Sequence, residues 1–593
     1  MQEIIPIAGR PDFYNCQLRP GLDKKNTIAR LLIVSLLASP AGCLFAESVA
    51  RTPELKDLPS RDSISIDGIT WKFNQAVPVG RFVNGDYYVV GSVTIVNIDP
   101  LPTSGNGRNG SVLNMPVQNN SLSPFDSRVA ANRYAPQLRA YPPITMRPGD
   151  ILISSISVNQ IGDFPPWLRE GEETPESPVR SVSVLTCLPA PVSPDAFRPS
   201  YADRTQKIYY ANNLRRDLLP RVSKVIHFPD PAIFAFHFRR PWLDICFFGF
   251  DAAVEYQATY GREVGRSIGI ATLLLMMDFK QSEKEELLVN VVQYGIDLWG
   301  IVRAGYAGWP AHGGHGTGRK WPIIFAGIML GDPDMQSPTV TYPLLRFGED
   351  MQTMDGNGWT GADVVYAGHQ GVWNGQPVSS TPSWGPYEHL HPSLWKSTFN
   401  NDAQYHIGED YRRCCTSIAW VGEGLAARMM HAEIYWNHDP FFEYVDRWMT
   451  ENDSSSIGAI KASTGLDYSA DWERQRQAWD TVVDEMWGAY RYNLPQTTTP
   501  SGSIIPVRYW LNQNYPNPFN PETTIGYHLP DQTRVTIKVF DVLGREVATL
   551  VDGVKGPGYE SVKFNAHDLA SGLYFYRLRA DDFTETRKLL YLR

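Results

Sequence analysis

Hydrophobic periodicity changes twice along this chain, and those changes restrict its fold more than any other feature. Between residues 62 and 200 the segments ISIDGITWKF, YYVVGSVTIVNI, DILISSISV and RSVSVLTCL are rich in β-branched residues with partial alternation. Turn-forming stretches such as NIDPLPTSGNGRNGS and YPPITMRPGD separate them. In 81-RFVNGDYYVVG-91, Asn84 and Asp86 flank an Asn-Gly hairpin signal. From 201 to 492 the apolar residues recur at helical spacing. Examples are KEELLVNVVQYGIDLWGIVRAGY, RKWPIIFAGIMLGD, YRRCCTSIAWVGEGLAARMM and DPFFEYVDRWMTEN. Several are apolar nearly all round, as helices in the middle of a large core must be. From 509 to 593 the period of two returns in VTIKVFD and LYFYRLRA, with Val542-Leu543-Gly544-Arg545 as a hairpin turn. The expected class is multidomain α+β: an N-terminal β-sandwich, a central helical domain and a small C-terminal β-sandwich. A Thr-, Pro- and Ser-rich linker, 493–508, precedes the last of these.

The two ends carry addresses. The stretch 24-KKNTIARLLIVSLLASPAGCLFAES-48 has a basic region, an apolar run and small residues, the pattern of a secretory signal. Its apolar run falls short of the roughly 20 residues of a comfortable membrane span. Residues 1–46 are therefore assigned to a signal region, with a start codon placed too early as one reading of the first 22, and 47–61 to a polar lead-in. At the other end, YPNPFNP (515–521), VFDVLGREV, SGLYFYRL and the basic-apolar close Arg587-Lys588-Leu589-Leu590 resemble the C-terminal sorting domain of type IX secretion. The resemblance implies a Gram-negative source of the Bacteroidetes/Chlorobi type and export across both membranes. It also implies that the type IX machinery is a partner and that the protein is secreted or held on the outer cell surface. A sorting domain is an address, so any chemistry lies upstream.

Composition narrows the classes of function. The net charge is −9 and basic runs are lacking, which argues against nucleic acid. No phosphate-binding GxxxxGK[ST] loop occurs. Aromatic residues reach 12%, enough to supply both large cores and platforms for sugars. Of six cysteines, Cys16 and Cys43 fall in the signal region. Cys414 and Cys415, as chain neighbours, are poorly placed to bond each other, and pairing with Cys187 or Cys246 stays open.

A β-rich domain beside a helical domain with long aromatic loops resembles the polysaccharide-acting α/α-toroid enzymes, among them polysaccharide lyases and several glycoside hydrolases. The resemblance covers roughly residues 60–492 and implies that loops at one end of the helices form a sugar cleft. The loop residues fit that chemistry. In 308-GWPAHGGHGTGRKW-321, His312, His315, Arg319 and Lys320 stand at the mouth of a buried helix, and His315-Gly316 is similar to a turn found in toroid lyases. Glu349 and Asp350 follow, then Trp359, Asp363 and His369, then Trp384, Glu388 and His389. Tyr405, Glu409, Tyr411, Arg412 and Arg413 close the set.

Two reactions compete. β-Elimination on a uronate polymer needs a cation or amide on the substrate carboxylate and a Tyr or His to move protons. His312, His315, Tyr405 and Tyr411 would serve as proton carriers, with Arg319, Lys320, His369, Arg412 and Arg413 as binding groups. Hydrolysis instead needs two carboxyl groups across the glycosidic bond, for which Glu349, Asp350, Asp363, Glu388 and Glu409 are candidates. Trp359, Asp363, Trp384, Glu388 and His389 are assigned to substrate binding. Elimination is the preferred reading and hydrolysis the alternative; a non-catalytic glycan-binding surface protein is the third. No cofactor is required, although His312-Gly-Gly-His315 and His389-Leu-His391 leave room for a divalent metal without matching a zinc signature.

Overall fold

Strand β2 (Ile69–Arg81) alternates buried and exposed residues and sits at the centre of the N-terminal β region. The computed structural model describes residues 51–117, 122–129, 133–160, 178–244, 258, 260–378, 385–399, 406–469, 478, 480–491, 493–494 and 508–593. Residues 1–50, Tyr405, Trp384, Cys246 and most of the linker lie outside them. Around β2 stand β1 (Ser60–Ile66), β3 (Tyr87–Val90), β4 (Val93–Asp99), β5 (Ser111–Leu113), β6 (Ile144–Met146), β7 (Ile151–Ser157) and β8 (Val179–Leu188). They join in the order β5-β7-β8-β3-β2-β4-β6, with β1 paired to β2. All pairings are antiparallel except β3 with β8. Trp71, Phe73, Val79, Ile95, Leu152 and Leu185 fill the space the sheet encloses. The Trp71 indole donates to Ser154 Oγ at 2.9 Å, tying β2 to β7. The Asn84-Gly85 turn forms as expected, with Gly85 at φ +92°.

The helical middle carries α1 (Pro231–Phe238), α2 (Gly261–Met276), α3 (Gln281–Arg303) and α4 (Lys320–Leu330). It continues with Ile407–Met429, Asp439–Thr450, Ser454–Thr464 and Thr481–Tyr490. The segments apolar all round are the ones buried all round: in α4 every residue from Lys320 to Met329 is inside. α3 packs on α1 and α4, and α2 packs on Ser417–Met429. The last contact is close because glycine meets glycine there. A Cβ on Gly269 would lie 2.9 Å from the Gly422 Cα, so any larger residue would force the helices apart.

A fully buried ion triad joins the β region to this core. Arg198 reaches Asp86 at the head of β3 (Nε–Oδ2 2.6 Å) and grips Asp297 on α3 with two nitrogens (3.0 and 2.6 Å). The C-terminal module is a pair of sheets. Trp510–Leu511, Glu522–Leu529 and Gly558–Asn565 form one. Thr533–Asp541, Glu546–Lys555, Gly572–Ala580 and Phe583–Tyr591 form the other. Val535, Ile537, Val539, Tyr576 and Leu578 lie between them. The expected turn at 542–545 is present, with Gly544 at φ +75°. Residues 50–593 form one compact unit. No helix among the described residues is long and apolar enough to cross a membrane.

Candidate functional site

The turn 312-HGGHG-316 threads through a space too narrow for side chains at its glycines. A Cβ on Gly313 would strike the Tyr411 ring at 2.4 Å, and one on Gly314 would meet the Cys415 carbonyl oxygen at 2.4 Å. Glycine therefore lets the backbone pass, and the two histidines that flank the glycine pair are half-buried. The turn is held from both sides. The Gly313 N–H donates to the His369 carbonyl at 2.9 Å, and the Gly314 N–H donates to the Tyr260 hydroxyl at 2.9 Å. Gln352 is buried beneath it, with Nε2 at 3.0 Å from the carbonyls of both Gly313 and His369 and 3.0 Å from the Tyr366 hydroxyl. One amide thus fixes the two loops that carry histidines.

Five rings converge as a result. His312 lies 5.5 Å from His315 and 4.7 Å from His369, centroid to centroid. His369 stands edge-on to Tyr411 at 4.3 Å, and His315 to Tyr260 at 4.6 Å. His312, His315, Tyr260 and Tyr411 are half-buried, whereas His369 is buried. Burial lowers the pKa of all three imidazoles. The charges of Arg319 and Arg133 push His315 down further, as does protonation of His312 or His369, and protonation of His312 does the same to His369. All three are therefore neutral near pH 7 and able to accept a proton. Burial raises the Tyr260 hydroxyl, which stays protonated. Arg133 comes from the β region, so the site draws on two regions of the fold. Arg262, at the start of α2, donates to the Cys414 carbonyl at 2.9 Å on the same side.

Tyr411 owes its position to an irregular helix. Ile407–Tyr411 and Ser417–Met429 are joined by one π-helical segment, Arg412–Thr416, a distortion that re-aims side chains and is often found at functional sites. Within that turn Cys414 and Cys415 are bonded to each other, contrary to the expectation that neighbours would seek other partners. Cys187 is a buried free thiol.

Most of the other candidates are placed in the interior. Arg319 lies 2.8 Å from Asp244 and donates to the carbonyls of His315 (3.0 Å) and Thr317 (2.7 Å). It therefore braces the turn from below and does not face a cleft. Lys320 is fully buried against Asp350, which also accepts from the Trp436 indole at 3.0 Å. Glu349 is fully buried and accepts the Gly318 N–H, and the fully buried carboxyl of Glu423 lies close enough to feel its charge. Burial pushes Glu349 up to about 7, and burial with the Glu349 charge pushes Glu423 well above its usual range. Glu388 is clasped by Arg447 (2.7 and 2.9 Å) and Arg412 (3.2 Å). Burial opposes its ionisation, yet the two guanidiniums outweigh burial and hold it at about 2. Glu409 is buried between Arg412, Arg413 and the Tyr387 hydroxyl, and Arg413 continues to Asp453.

His389 and Asp363 are exposed. Asp363 faces Lys588 of the C-terminal module at 3.7 Å. Trp359 is half-buried edge-on to His391 at 5.1 Å, while Trp309, Trp321 and Trp395 belong to the core. Among the described residues no group of three or more His, Cys, Asp or Glu is placed to hold a metal ion.

The cluster thus keeps His312, His315, His369 and Tyr411 from the sequence reading and adds Tyr260, Arg262, Arg133 and Gln352. Gln352 lies two residues beyond Asp350 and, being uncharged, gave no catalytic signal in the sequence. Arg133 had no local signal, because its proximity to His315 is created by the packing of the two regions.

Comparison with known proteins agrees with the C-terminal reading. Residues 513–591 match the family described as the secretion system C-terminal sorting domain. They are a type IX sorting domain, which marks the protein for export to the cell surface or beyond. No curated protein matches the chain. A solved structure of PorZ, an essential bacterial surface component of the type-IX secretion system of Porphyromonas gingivalis, matches with 24% identity and a TM-score of 0.11. That match covers 14% of this chain and spans only 11% of the PorZ chain.

Proposed function

We propose that this exported chain is an enzyme that cleaves a uronate-containing polysaccharide by β-elimination, with the His312, His315, His369, Tyr411 and Tyr260 cluster as its centre. In this reading the helical region plays the part of the toroid in such lyases. The observation that carries it is the sorting of charge. The half-buried groups at the cluster are neutral imidazoles and phenols, the proton carriers elimination needs. Of the carboxyl groups that hydrolysis would need, Glu349, Glu388 and Glu409 are 0%, 3% and 1% exposed and committed to internal partners, and exposed Asp363 faces Lys588 of the sorting domain. Asp350 is likewise tied to Lys320.

The step follows from these roles. Arg133, whose charge is felt at His315, holds the uronate carboxylate and lowers the acidity barrier at the adjacent carbon. Neutral His315 takes the proton from that carbon. The electron pair left behind forms a C=C bond as the neighbouring C–O bond breaks, and the Tyr411 hydroxyl gives its proton to the departing oxygen. Half-buried Trp359 offers a flat face for a sugar ring further along.

Incubation of the purified protein with a panel of uronate and neutral polysaccharides tests this. Ultraviolet absorbance of the unsaturated product and new reducing ends should rise together on a uronate polymer. Reducing ends without the absorbance would mean hydrolysis and overturn the proposal. Tight glycan binding with neither signal would make the protein a binding module.

A further inference from the structure

The sorting domain does not hang free of the rest of the chain. Tyr515, the first residue of its YPNPFNP motif, is 7% exposed and belongs to the same apolar cluster as the helical core. The Arg491 guanidinium covers the Tyr515 ring at 3.4 Å, and Trp487 stands edge-on to it at 6.5 Å. Tyr559 stacks on His431 of the helical region with centroids 3.6 Å apart and planes 15° from parallel. Polar contacts run along the same seam: Arg508 to Asn437 at 2.6 Å and Asn512 to Glu433 at 3.3 Å. At its far end Arg587 enters between Asp439 and Glu443 at the start of helix Asp439–Thr450, with the Glu443 contact at 2.9 Å. Asp439, Glu443 and Arg587 are each less than a quarter exposed. Aromatic anchors in the middle and charge pairs towards the edge are the anatomy of a specific interface.

We infer that the helical face around His431, Glu433, Asp439, Glu443 and Arg491 is a docking surface for the chain's own sorting domain, so that cutting the linker does not by itself release that domain. The inference is independent of the proposed activity, because it concerns binding alone. A tag tethered only by its linker would show separate cores and no shared aromatic residues. Here the tag contributes Tyr515 to the core of its passenger, and the passenger supplies the carboxylates that receive Arg587. Export and release are then two steps: one cuts the chain, and another separates two folded partners.

The test uses the full chain with a specific protease site placed between Leu494 and Arg508. After cleavage under native conditions the two pieces should co-elute on gel filtration. Arg587→Glu places an anion against Asp439 and Glu443 and should weaken the association by about thirtyfold or more, so that the pieces separate. Glu443→Arg in the same chain should restore co-elution, which distinguishes docking from misfolding of the sorting domain. Separation of the unsubstituted pieces on cleavage would overturn the inference. So would an Arg587→Glu chain whose pieces stay together as tightly as the unsubstituted ones.

Discussion

Replacing Arg198 by Met probes the joint between the β region and the helical core. The guanidinium is 1% exposed and supplies both buried carboxyl groups of the joint, Asp86 and Asp297, with their charge partner. Even with Arg198 present, burial outweighs its attraction and holds Asp297 at about 6. Asp86 is also raised, chiefly by burial. Met fills much of the volume but leaves both carboxyls without a cation. Removing one partner of a buried pair costs about 3–5 kcal/mol, a large share of the roughly 5–15 kcal/mol that holds a domain folded.

The loss should depend on pH. A carboxyl whose folded pKa lies above its unfolded value loses stability as pH rises from the unfolded to the folded pKa. In the natural chain that window for Asp297 runs from 3.8 to about 6. Without Arg198 it extends upward for both aspartates, so the variant should be hurt more at pH 8 than at pH 5. Calorimetric unfolding at the two pH values measures this, and hydrogen exchange of amides 82–91 and 293–300 locates it. Adding Asp86→Asn and Asp297→Asn should recover most of the loss. A loss below about 1 kcal/mol, the worth of an exposed ion pair, or one of equal size at both pH values, would refute the reasoning.

Other outcomes follow from the site. His315→Ala should abolish turnover with the melting temperature nearly unchanged; a large drop in melting temperature with activity kept per folded molecule would make His315 structural. Gln352→Leu takes the side-chain donor from the buried Gly313 carbonyl and one of two donors from the His369 carbonyl, at a cost of about 1–3 kcal/mol. It should also lower kcat at least about tenfold as the two histidine loops drift, and a kcat equal to that of the natural chain would dismiss Gln352 as a positioning residue. The acid limb of kcat/KM should lie below pH 6.5, since His312, His315 and His369 are all shifted down; a limb above 7 in the pH profile would contradict neutral imidazoles. Glu423→Gln removes one member of the buried carboxyl pair. Both carboxyls are shifted up, so the pair costs stability as pH rises past 4.5. The variant should gain on the order of 1 kcal/mol at pH 8 and nothing at pH 4, read from denaturant midpoints at each pH.

Local pattern determined much of this molecule. The period of two placed strands at 60–99, 151–157 and 179–188, and the helical period placed 261–276, 281–303 and 320–330, because which face is apolar decides which face turns inward. The motifs of the last 80 residues determined the sorting domain and its hairpin at Gly544. The glycines of 312-HGGHG-316 marked a turn that needs close approach, and His312 and His315 beside them stayed near the surface.

Tertiary packing decided the rest. Arg319, Lys320, Arg412 and Arg413 read from sequence as groups for a substrate carboxylate, yet the chain folds a carboxylate of its own against each one. A charge next to an apolar run looks the same in sequence whether it faces water or a buried partner. Its partner is distant in the chain for Arg319–Asp244, Lys320–Asp350 and Arg413–Asp453, and only the fold brings the two together. For the same reason His369, Tyr260 and Arg133 join His315 only once three separate segments are packed. The seat of Tyr515 in the helical core was equally invisible, because a motif shows what a segment is and the surface it meets is built by residues far away.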